Sequence, residues 1–118
     1  MTGRYTRISE EPQEGRFKLQ KSYIERYWKK SNFEALEEIR NASEQAGVSM
    51  TQAALLWILH HSFLKGQYRD GVILAASSLE QWEANLKSLN GNFPPEVSEA
   101  VDRAWQKARP DCSQYFRT

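Results

Sequence analysis

Apolar positions recur at helical spacing through most of the chain. Phe33, Leu36, Ile39 and Ala42 fall on one stripe, which predicts a helix starting at Ser31 and stopping at Gly47. Ser31 and Glu34 have the S-x-x-E spacing of a capping box, in which two side chains reciprocally satisfy exposed N–H groups of the first turn. A second helix repeats this grammar, opened by Ser49 and Gln52, with its body over residues 50 to about 62. Its centre, AALLWIL at residues 53–59, is apolar all round, which predicts burial on most sides. Leu79, Trp82, Leu86 and Leu89 mark a third stripe, closed by Gly91. The last helix opens with Pro94-Pro95-Glu96, proline suiting a first turn. Val97, Ala100, Val101, Ala104, Trp105 and Ala108 form its apolar stripe, and Pro110 stops it. Tyr23, Ile24 and Tyr27 place a short helix in residues 21–30. Residues 1–20, with Gly3, Pro12 and Gly15 among Glu10, Glu11 and Glu14, read as a loop.

One segment departs from helical spacing. Val72-Ile73-Leu74-Ala75-Ala76 follows a turn region with Gly66, Asp70 and Gly71. It is apolar on both faces and β-branched at its start, the mark of an interior strand in a parallel sheet. A lone strand would leave its N–H and C=O groups unpaired on both edges. A complete α/β domain of this length should show at least three such signals. The expectation is therefore an α/β chain, mostly helical with one clear strand, forming the end of a larger β/α protein. The pattern alone supports equally a small helical domain in which residues 72–76 are helix or an edge segment.

Composition narrows the function classes. The 118 residues are at most one domain. Sixteen Lys and Arg against fifteen Asp and Glu give a net charge of +1, which argues against a nucleic-acid footprint and against a polybasic membrane segment. Four Trp, five Tyr and five Phe belong to a folded chain rather than a disordered one. The longest unbroken apolar run, residues 53–59, is too short to span a bilayer. No apolar stretch follows the N-terminus to suggest a secretory signal. The one cysteine, Cys112, cannot form an internal disulfide, so a cytoplasmic setting with a reduced thiol is expected.

Candidate chemistry concentrates in residues 72–85, VILAASSLEQWEAN. A buried strand, two serines and a capped helix make a βα unit. The free N–H groups of the helix's first turn, with the helix dipole, favour an anion, typically a phosphate. An isolated Ser-Ser is more often a plain cap. His60 and His61 are adjacent and so diverge on a helix, whereas metal pairs need i,i+3 or i,i+4 spacing; no metal site is expected. Cys112 has no histidine nearby in sequence, and Glu34, Glu37, Glu38 and Glu44 read as a solvated face. No Gly-rich phosphate loop, Ser-His-Asp order or CxxC occurs.

Taken together these residues resemble the C-terminal portion of an aldo-keto reductase, in the aflatoxin aldehyde reductase branch. The likeness runs over nearly the whole chain: Thr2-Gly3-Arg4-Tyr5, Gly15-Arg16-Phe17, YIERYW at 23–28, Asn32-Phe33-Glu34-Ala35, Ala53-Ala54-Leu55 with Trp57, His60-His61-Ser62, Val72-Ile73-Leu74 with Ser77-Ser78-Leu79-Glu80-Gln81 and Asn85, then Cys112 and Tyr115-Phe116-Arg117. Order and spacing carry the resemblance more than any single motif. It implies a (β/α)8 barrel, of which residues 1–118 are the C-terminal part of the reductase domain. It also implies NADPH as cofactor and small aldehydes or dicarbonyls as substrates. By that match Ser77, Ser78, Leu79, Glu80, Gln81, Trp82, Glu83, Ala84 and Asn85 line the nucleotide site. Arg4 ends a second cofactor loop, Arg16 lies near the cofactor, and Tyr23 and Arg117 face the substrate.

The departures are specific. The family's catalytic Asp, Tyr, Lys and His sit on early barrel strands that have no counterpart here, so no catalytic residue is assigned and the chain alone is expected to be inactive. Ala75 stands where relatives carry Gly, and the segment between Phe17 and Tyr23 is about three residues shorter, within ordinary loop variability. Met1 falls inside what the resemblance makes a loop, and Thr118 extends past the usual terminal arginine. The alternative is a non-enzymatic remnant that binds another chain, and a homo-oligomer is compatible with its apolar faces. The resemblance makes Arg117 a reader of substrate carboxylates, because a guanidinium offers a planar fork to an acid. In a completed enzyme, Arg117→Ala should raise the Michaelis constant for a carboxylated aldehyde about ten-fold or more and leave that for a neutral aldehyde little changed. Paired kinetic curves test this, and an equal change for both substrates refutes it.

Overall fold

The computed structural model describes residues 5–13 and 15–114. Among them are six α-helices: α1 (Arg16–Leu19), α2 (Lys21–Tyr27), α3 (Lys30–Ala46), α4 (Met50–His61), α5 (Leu79–Lys87) and α6 (Pro95–Ala108). Short 3-10 turns lie at Gly66–Tyr68 and Arg109–Asp111.

Helix ends follow local chemistry, with one correction. α3 stops at Gly47, whose φ of 69° is left-handed and suits glycine, and Val48 N–H closes the turn on the Ser43 carbonyl at 3.0 Å. Its start is not the expected capping box. The helix begins at Lys30, and Lys29, at the N-cap, makes no side-chain cap bond. The Ser31 hydroxyl instead donates to Asp111 Oδ2 at 2.6 Å, and Lys29 Nζ donates to the Asp111 carbonyl at 2.5 Å. With the helix begun at Lys30, the serine that local spacing assigned to a cap lies inside the first turn and donates to an acceptor eighty residues away. In α4 half of the box forms: Gln52 N–H donates to Ser49 Oγ at 3.0 Å. The Gln52 side chain reaches to the Asn90 carbonyl at 3.0 Å and so ties α4 to the turn after α5. Gly91 fits that tie, because a Cβ there would stand 3.1 Å from Gln52 Nε2, and its φ of 113° disfavours any other residue.

The core lies where α3 crosses α6, with α4 alongside. Phe33, Ala35, Leu36, Ala53, Leu56, Val97, Ala100 and Ala104 are buried, and the alanines let the helices approach closely. On the rim, Glu38 of α3 accepts from Arg103 Nε at 2.7 Å and Lys107 Nζ at 2.5 Å, two residues one turn apart on α6. An aromatic cluster extends the core towards the N-terminus. Trp28 meets Tyr5, Phe17 and Phe33 edge-on at 5.0, 5.2 and 5.0 Å between ring centres. Its indole N–H donates to the Ile8 carbonyl at 2.8 Å. The stretch read as loop over residues 1–20 thus contains α1, begun at Gly15 with φ of 76°.

Two further expectations are corrected. Residues 72–76 form no strand, and none occurs among the described residues. Ile73 is 97% exposed. A strand is defined by ladder bonds to a neighbour, and here the apolar run has none to pair with. Nor is AALLWIL buried on most sides: only Ala53 and Leu56 of that run are buried, and Leu59 is exposed. The same shortage of partners accounts for α5, which has no buried residue although Leu79, Trp82 and Leu86 make an apolar stripe.

Leu56 is fully buried, so Leu56→Ala should cost about 2–5 kcal/mol, much of a small domain's margin, read as a lowered urea midpoint. Hydrogen bonds from Lys107 and then Arg103 hold the Glu38 carboxyl below its ordinary value of 4.5. A depressed folded-state value means this stabilisation is complete above about pH 4.5 and is lost as pH falls through the lower, folded value. Melting curves of wild type and Glu38→Gln should therefore differ at neutral pH, converge in acid, and differ less in high salt. A gap independent of pH refutes the role.

Candidate functional site

The start of α5 is built from its own side chains. Ser78, in extended conformation at the N-cap, accepts from the Gln81 N–H at 3.2 Å. The Gln81 side chain turns back, and its Oε1 accepts from both the N–H and the hydroxyl of Ser77 at 3.1 and 2.8 Å. One turn on, Asn85 Nδ2 donates to the Ala75 carbonyl at 3.4 Å and holds the helix against the segment that leads into it. The S-x-x-Q spacing at 78–81 thus folds as a reciprocal cap, shifted so that glutamine grips the residue before the N-cap.

The cap leaves the N–H groups of Leu79 and Glu80 with no acceptor among the described residues, at the positive end of the helix dipole. Ser77, Ser78, Leu79, Glu80, Gln81, Trp82, Glu83 and Ala84 are exposed and Asn85 is half-buried, so the whole predicted stretch is accessible on one short helix. An anion seated here would meet two free N–H groups and the Ser78 hydroxyl, whose proton is uncommitted among the described residues, while the Ser77 hydroxyl is already donated to Gln81. Residues 72–86 hold no Lys or Arg, and Glu80 in the first turn competes for the dipole. Within this segment an anion would find backbone and hydroxyl donors and no cationic side chain.

The other predicted residues divide. Arg16 and Tyr23 come together: Arg16 Nη1 donates to Tyr23 Oη at 3.2 Å, and its guanidinium lies 5.8 Å from the ring centre. No hydrogen bond, ion pair or ring contact among the described residues joins this pair to residues 77–85. Arg4 and Arg117, and the tail at Tyr115 and Phe116, lie outside the described residues. The described residues contain no group of three or more His, Cys, Asp or Glu placed to hold a metal. His61 stands 3.5 Å from the Ser98 hydroxyl and packs on Phe93. The exposed Cys112 thiol contacts the Ser113 carbonyl.

Sequence reasoning missed two polar features. Asp111 anchors Lys29 and Ser31 across the fold, and nothing local signals that. The Glu10 carboxylate accepts from the Thr6 hydroxyl and N–H at 2.8 and 2.9 Å and from Arg7 N–H at 2.7 Å. These bonds, Thr6's foremost, hold it below the usual carboxylate value. The T-x-x-x-E spacing was visible but lay in a stretch read only as loop.

A helix start capped by serine and open to solvent suits a protein that receives a phosphate-bearing ligand. Comparison with known proteins makes the class specific. A sequence model of the aldo/keto reductase family matches residues 1–106, and the chain belongs to that family. Its relatives include aflatoxin B1 aldehyde reductase member 2 of Rattus norvegicus, 40% identical over 99% of this chain and 35% of that protein. An aldo-keto reductase of Pseudocercospora fijiensis is 37% identical over 98% of this chain and 41% of that protein. Aldo-keto reductase family 7 member A3 of Homo sapiens is 42% identical over 80% of this chain and 30% of that protein. The chain spans about a third of the length of these relatives. Membership implies a (β/α)8 barrel for the family, and the described residues are a mostly helical portion of it. No helix among them is long and apolar enough to cross a membrane.

Because α5 has no buried residue, loss of its cap should act locally. Ser78→Ala should weaken the helix by about 1 kcal/mol and speed hydrogen exchange at the Gln81 amide. The melting temperature should stay within a degree or two, since α5 adds little to the core. A global loss of stability would show that α5 is coupled to the α3–α6 core.

Proposed function

We propose that residues 1–118 are the C-terminal, cofactor-clamping part of an NADPH-dependent aldo/keto reductase that reduces small aldehydes or dicarbonyls to alcohols in the cytoplasm. The observation that carries the reading is the family match over residues 1–106; the open, serine-capped start of α5 supports it. In this reading residues 77–85 grip the nucleotide. The Leu79 and Glu80 N–H groups and the Ser78 hydroxyl receive a phosphate, Ser77 joining them where its hydroxyl leaves Gln81, and Gln81 and Asn85 face the adenine. Arg4 and Arg16 approach the cofactor from the N-terminal side, and Tyr23 and Arg117 approach the substrate. When bound, NADPH supplies the hydride. The work of these residues is to bind and orient it.

The carbonyl must receive a proton as hydride arrives. The Asp, Tyr, Lys and His that the resemblance assigns to that step are not among these 118 residues, so the chain alone is an incomplete catalyst. The exposed Phe63, Ile73, Leu79 and Leu86 support the same view, since apolar surface of this kind is normally covered by further polypeptide.

The 118-residue chain with NADPH and an aldehyde should give no oxidation of the cofactor, followed by the absorbance of its reduced nicotinamide, beyond the enzyme-free rate. A chimera in which residues 1–118 replace the matching segment of the rat reductase should turn over. In it, Ser77→Ala with Ser78→Ala should raise the constant for NADPH several-fold and leave turnover at saturating cofactor little changed. Steady turnover by the short chain refutes its incompleteness, and unchanged NADPH affinity in the double variant refutes the cofactor assignment.

A further inference from the structure

We draw no further inference here: the strongest candidate, the apolar groove of about 620 Å³ between α3, α4 and α6 lined by Ile39, Trp57, Phe63, Val101 and Trp105, is an unpartnered face, and nothing in the structure shows what covers it.

Discussion

The crossing of α3 on α6 is the contact on which the rest of this structure depends. It brings residues more than sixty positions apart together and buries most of the apolar side chains the chain manages to hide. Small residues make it work. Ala35 on one helix and Ala100 and Ala104 on the other are buried with Phe33, Leu36 and Val97, and side chains this small allow two backbones a close approach. The polar contacts then fix the relative placement of the two helices. Glu38 engages two successive turns of α6, and Lys29 and Ser31 hold Asp111 just beyond that helix. Such exposed or half-exposed ion pairs stabilise weakly, so burial holds the pair together and the charges set its register.

Distance from that crossing explains what was legible in the sequence and what was not. α3, α4 and α6 were readable because their stripes face one another, and because Gly47 acts through its own backbone and Ser49 through a side-chain cap three residues away. Residues 72–76 misled because a both-face apolar run specifies burial in a sheet but cannot supply the sheet. Strand formation is a property of the pair, and the segment stays unpaired with Ile73 in solvent. The cap at Ser31 failed because the helix starts one residue earlier, at Lys30, which puts Ser31 inside the first turn, where its hydroxyl donates to Asp111. The fold class remained legible through family likeness, which implies a (β/α)8 barrel.

The start of α5 sits at the far end of this gradient. Its cap is local, built from Ser77, Ser78, Gln81 and Asn85, and it forms although the helix buries nothing. That independence matters for function. Under the proposed function, a phosphate seat that draws its geometry from a four-residue cap is in place before any surrounding structure covers it, so the ordering cost is met by the helix itself and not by the ligand. The lack of Lys or Arg in residues 72–86 sets the limit of this economy. Two N–H groups and the Ser78 hydroxyl can orient a phosphate, but with Glu80 beside them they do not neutralise it. In the proposed function countercharge comes from another segment, and the resemblance points to Arg4 and Arg16. Arg16 is committed to Tyr23, yet at 3.2 Å and on an exposed surface that bond is easily exchanged. In this reading the cap supplies orientation and the arginines supply charge.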